Sequence, residues 1–136
     1  MIDYESDIMI AIQSGLEAAG MEYVKLFDQL MLSPAEFPCV SVENIDNYVY
    51  DRTIDSGSNE NHVRVAYEVN AWSNSTEDKR AEAKSIFAVV SDVLTHKGFM
   101  RLSANPINFN SATAYRLTGR FRAVISKEGQ IYSNRR

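Results

Sequence analysis

The sequence predicts an α+β domain in which a mainly antiparallel β-sheet packs against two α-helices. Two segments carry apolar residues at three- and four-residue spacing, and several others alternate apolar with polar residues. The links between neighbouring alternating segments are of hairpin length, too short for the helical crossovers of a parallel sheet. With 136 residues there is room for one such core, spanning 1–136, and not for two ordinary ones.

The first helix is expected from about Asp3 to Ala19, where Ile8, Ile12, Leu16 and Ala19 share a face. Asp3, Glu5 and Asp7 complement its positive end, and Gly20 stands where a left-handed cap belongs. Tyr23, Val24, Leu26 and Phe27 suggest a short strand before the breakers Pro34 and Pro38. A long or bent strand follows, with Val40 and Val42 alternating with Ser41 and Glu43, then Tyr48 and Tyr50 alternating with Val49 and Asp51. The polar run Asp55-Ser56-Gly57-Ser58-Asn59-Glu60-Asn61 reads as a hairpin loop.

The next strand has the clearest alternation, with Val63, Val65, Tyr67, Val69 and Ala71 on one side and Arg64, Glu68 and Asn70 on the other. Asn74 or Ser75 then caps a second helix, with Glu77 and Asp78 respectively three residues on. Ala83, Ile86, Phe87, Val90, Val93 and Leu94 carry its apolar face to about Lys97, where Gly98 supplies the stop. An extended stretch from Phe99 is interrupted at Asn105-Pro106, and Asn108, Asn110 and Ser111 mark a turn. A strand from about Ala112 to Ser126 puts Tyr115, Leu117, Gly119, Phe121, Ala123 and Ile125 on one side and Arg116, Thr118, Arg120 and Arg122 on the other. Ser126-Lys127-Glu128-Gly129 turns the chain into a short closing strand at Gln130-Ile131-Tyr132.

Composition narrows the function. With 45% apolar and 24% charged residues, 6 Gly and 3 Pro, the chain falls outside the collagenous, disordered and membrane-spanning classes. No apolar run approaches the ~20 residues needed to cross a bilayer, and the start lacks the basic residues of a signal peptide. The lone Cys39 cannot form an internal disulfide, as expected for assembly in a reducing cytoplasm. His62 and His96 have no second ligand at metal spacing, so no metal site is expected. The carboxylates Asp3, Glu5 and Asp7, or Asp46, Asp51 and Asp55, resemble a magnesium-binding nuclease cluster only loosely, and helix-end charge or solvated strand edges explain them better. There is no glycine-rich phosphate loop and no nucleophile elbow. Neither an enzyme nor a cofactor is expected.

The net charge of −4 conceals a division: residues 1–100 hold 17 acidic and 7 basic side chains, whereas residues 101–136 hold 1 acidic and 7 basic. Arg116, Arg120 and Arg122 on one strand face, with Arg101 upstream and Arg135-Arg136 at the end, create a local positive field. Nucleic-acid binding is disfavoured, because Tyr115 and Phe121 lie on the opposite strand face and cannot interleave with the arginines as stacking platforms. Two readings stay open: the arginines meet Glu43, Glu68 or other carboxylates within the sheet, or they face a neighbouring subunit.

A family resemblance bears on that choice. His96-Lys97-Gly98-Phe99-Met100-Arg101-Leu102-Ser103, then Asn105-Pro106 and Asn108-Phe109-Asn110, lead into Tyr115-Arg116-Leu117-Thr118-Gly119-Arg120-Phe121-Arg122-Ala123-Val124-Ile125 and Gly129-Gln130-Ile131-Tyr132. This pattern resembles the tail terminator family of tailed bacteriophages, as do Phe37-Pro38-Cys39-Val40-Ser41-Val42-Glu43 and Val65-Ala66-Tyr67-Glu68-Val69-Asn70-Ala71-Trp72-Ser73 upstream. The resemblance implies a non-enzymatic, cofactor-free α+β subunit that forms a hexameric ring on the end of the tail tube. Such a ring stops tube polymerisation and presents a surface to the neck or head-completion protein, in a virion tail assembled in the bacterial host cytoplasm. Its partners would be copies of itself, the tail tube protein and the neck protein, with no membrane and no direct nucleic-acid contact. The candidate interface residues are Arg101, Arg116, Arg120 and Arg122, with Tyr48, Tyr50 and Asp55 from the second strand and its loop. The alternatives are another small neck or head-completion protein, or a small DNA-associated protein using the basic C-terminal strand.

Overall fold

A computed structural model describes residues 5–28, 37–49, 62–106, 114–126 and 131–132. In chain order these form α1 (Glu5–Ala18), β1 (Lys25–Phe27), β2 (Cys39–Val49), β3 (His62–Ser73), α2 (Lys79–Lys97), β4 (Met100–Pro106), β5 (Tyr115–Ser126) and β6 (Ile131–Tyr132). The strands make one six-stranded sheet in the order β1-β2-β3-β5-β4. All its pairings are antiparallel except β1 with β2. β4 pairs with β5 between Leu117 and Arg122, and β6 pairs with Val124 and Ile125, so these two short strands share one edge of β5 end to end. The expected α+β class and mainly antiparallel sheet are therefore found.

The apolar positions read from β3 and β5 meet across the pair. Val63, Val65, Tyr67, Val69 and Ala71 stand opposite Ile125, Ala123, Phe121, Gly119 and Leu117, residue for residue. Val40 and Val42 of β2 continue the same face opposite Ala71 and Val69. Both helices close over it: Ile8, Ile12 and Leu16 of α1 and Ile86, Phe87, Val90 and Leu94 of α2 join these strand residues in one buried cluster. α2 contacts β3, β5 and β4 directly, and α1 packs on α2. Each fully buried branched or aromatic side chain there stabilises the fold by about 1.5–3 kcal/mol.

Several expectations are refined. α1 is described from Glu5, and Asp3 lies outside the described residues. The second helix is capped by neither Asn74 nor Ser75. Asp78 is the N-cap, its carboxylate accepting from the Ala81 N–H at 3.0 Å. Ser75 instead accepts from the N–H groups of Glu77 and Asp78, at 3.3 and 3.4 Å, and so orders the turn that precedes the helix. Both helices end on left-handed glycines, Gly20 at φ 76° and Gly98 at φ 109°. In each case the next N–H reaches back five residues, Met21 to the Leu16 carbonyl and Phe99 to the Leu94 carbonyl. The 55–61 loop, the Asn108–Ser111 turn and turn residues 127–130 lie outside the described residues.

Candidate functional site

A strand's side chains alternate, so the residues between the apolar positions of β3 and β5 must project from the sheet face opposite the helices. The register places Glu68 opposite Arg120, Asn70 opposite Thr118 and Trp72 opposite Arg116. β2 extends these rows, with Glu43 beside Glu68, Ser41 beside Asn70 and Cys39 beside Trp72. The result is a polar ladder across the sheet.

Asn70 is its centre. Completely buried, it accepts with Oδ1 from Arg116 Nε at 2.8 Å and from the Thr118 hydroxyl, and its Nδ2 donates to Glu68 Oε1 at 3.2 Å. The other Glu68 oxygen lies 3.3 Å from Arg120 Nη2. The Arg116 guanidinium also stacks over the Trp72 ring, 5.4 Å from its centroid. Burial pushes Arg116 below its ordinary pKa and the Glu68 charge opposes that shift, but an arginine stays protonated throughout. Ser41 Oγ, Trp72 Nε1 and Arg122 Nε are buried on this face without a hydrogen-bond partner among the described residues.

The candidate residues therefore separate. Arg116 and Arg120 are engaged within the subunit, although the Arg120 side chain keeps 58% of its exposure. Arg122 shares their face, opposite Ala66 of β3 and Met100 of β4. Arg101 does not belong to this row: it pairs in register with Phe121 and lines a cleft with Ser91 and Asp92 of α2, on the helix side. Tyr48 lies in β2 opposite Arg64, while Tyr50 and Asp55 fall outside the described residues. Sequence reasoning missed the role of Asn70. It had placed that residue on the correct face, but an acceptor shared by Arg116 and Thr118 follows only from the strand register.

No group of three or more His, Cys, Asp or Glu among the described residues is placed to hold a metal ion. No helix among the described residues is long and apolar enough to cross a membrane. What the described residues present is a polar sheet face and two sheet edges.

No family model matches the chain, and no curated protein does. Solved structures do. A chain from the virion of a native gene transfer agent particle matches with a TM-score of 0.54 at 18% identity, over 90% of this chain and 92% of that one. The gp17 protein of bacteriophage SPP1 matches with a TM-score of 0.42 at 19% identity, over 86% of this chain and 88% of that one. A sheath/tube terminator from the PVC extracellular contractile injection system, in its extended state, has a TM-score of 0.47 at 12% identity, covering all of this chain and 61% of that one. The protein thus shares its fold with a chain from the virion of a gene transfer agent particle.

Proposed function

We propose that this protein is a structural assembly protein of a phage tail or tail-like particle, forming a ring on the end of the tail tube that stops polymerisation and receives the neck or head-completion protein. The observation that carries this reading is the fold shared with a gene transfer agent virion chain along nine-tenths of the length. The physical character of the surface supports it. A ring of identical subunits needs two different, complementary patches on each copy. The division between an acidic first 100 residues and a basic remainder supplies opposite charges for such patches. The function is then geometric, with no bond made or broken. Arg122 and the exposed part of Arg120 offer the sheet face to the tube or neck protein.

The test is negative-stain microscopy of the purified protein alone and mixed with polymerising tail tube protein. Rings of tube-like diameter, together with tubes of bounded length, are expected. Tubes that grow to the same lengths with and without the protein would overturn the reading.

A further inference from the structure

The two edges of the sheet differ in character, with β4 and the short β6 along one and β1 along the other. β4 pairs only with β5 among the described residues, and five of its seven residues are exposed. Its register slips between Arg101 and Ser103, a bulge that turns Leu102 outward at 47% exposure. Residues 97–106 contain Lys97 and Arg101 and no carboxylate. At the other edge, β1 pairs only with β2 among the described residues. Beside it, α1 and β1 form a cleft of about 620 Å³ lined by Glu5, Ser6, Met9, Ile10, Leu26, Phe27 and Asp28. Its apolar part includes Ile10, 65% exposed, and residues 5–28 hold five carboxylates against Lys25.

Each edge thus presents what the other lacks. β4 offers an apolar knob beside a cation, on a strand that pairs only with β5 among the described residues. The α1/β1 cleft offers Met9, Ile10, Leu26 and Phe27 together with the carboxylates of Glu5 and Asp28, next to a strand that pairs only with β2 among the described residues. Strand direction also fits. β1 runs with β2, against β3, with β5 and against β4, so the two outer strands are antiparallel. A second copy rotated about an axis along the strands would bring its β1 antiparallel to the first copy's β4, the geometry of perpendicular ladder bonds.

We propose that the β4 edge of one subunit docks against the α1/β1 edge of a second copy of this chain, with Leu102 entering the cleft between Met9, Ile10 and Phe27 and Arg101 meeting Asp28. The contact is head-to-tail and repeats from copy to copy, the type of interface that closes into a ring when the rotation permits. It rests on the proposed ring and names the surfaces that build it. An open edge left unpaired is also a liability, and mutual occupation removes it.

The test is sedimentation velocity and microscopy on Arg101→Glu, Asp28→Arg, the double variant, and Leu102→Asp, four changes at exposed positions. Each single charge reversal is expected to weaken subunit association by about tenfold, the equivalent of about 1.4 kcal/mol. The double variant is expected to restore it, because each interface then holds the reversed pair. Leu102→Asp, which puts a carboxylate into a cleft already lined by Glu5 and Asp28, should prevent rings. Wild-type rings with all four variants assembling equally well would overturn this interface and leave the ring standing. A wild-type protein that stays monomeric at high concentration and forms no ring on tube ends would overturn both.

Discussion

The two faces of the sheet differ: the helix side is buried throughout β3, whereas the other face is buried only in part, as around Ser41, Asn70 and Trp72, and the two are held by different physical means. Toward the helices, Val63, Val65, Tyr67, Val69 and Ala71 of β3 are at most 1% exposed and lie among other apolar side chains. On the opposite face, Asn70 is also completely buried, its amide held in a ladder of arginine, threonine and glutamate, while Ser41 Oγ and Trp72 Nε1 are buried beside it without a hydrogen-bond partner among the described residues. The first face is stabilised by area, which is non-directional and tolerates conservative repacking. The second loses free energy on burial unless each donor meets an acceptor. The same backbone thus carries one surface specified by shape and one specified by register.

The sharpest test of the shape-specified face is Gly119. A Cβ there would sit 2.7 Å from Phe87 Cε2 and 2.8 Å from the Ser103 carbonyl oxygen, so α2 and β4 both close onto this bare backbone. Phe87 has no easy retreat, being 4% exposed and packed against Phe121 at 6.1 Å. Gly119→Val is expected to cost about 3 kcal/mol of stability through overpacking. Urea denaturation checks it. A loss under about 1 kcal/mol would mean that the helix layer lifts freely from the sheet.

For the register-specified face the corresponding position is Asn70. Asn70→Ala leaves Arg116 Nε and the Thr118 hydroxyl without their shared acceptor. The expected cost is about 2 kcal/mol, within the range for stranding buried donors. The change removes little apolar area, so the denaturant slope should stay constant while the midpoint falls. An unchanged midpoint would show that water replaces the amide, and the two faces would then differ less than their chemistry suggests.

The helix-facing side was almost fully legible in the sequence, because alternation in β3 and β5 and the helical spacing in α1 and α2 each name the same buried residues. The polar face was legible only by composition. Glu68 stood out as a partner for the arginines because opposite charges attract whatever the register, and it does meet Arg120. The Asn70 ladder required knowing which residues oppose each other over 46 and 48 positions of chain separation. The bulges at Asn44/Asp46 and Arg101/Ser103 were equally hidden. A one-residue slip there transfers Arg101 to the helix side, and no local pattern announces it. The cap of α2 was displaced for a local reason: Asn74, Ser75 and Asp78 are all good caps, and the turn ordered by Ser75 moves the helix start to the last of them.

The smallest effect concerns the ion pair between Arg120 and Glu68, and it decides how much of the arginine row remains available to partners. The carboxylate side chain is 13% exposed and the guanidinium 58%, so the pair lies at the border between buried and solvated. A double-mutant cycle with Glu68→Gln and Arg120→Gln is expected to give a coupling below about 1 kcal/mol, falling further as salt rises. Weak coupling means that Arg120 can leave Glu68 for another acidic group at little cost. A salt-insensitive coupling near 2 kcal/mol would instead make the pair part of the ladder that holds the sheet, leaving Arg122 as the arginine of this row that the face offers outward.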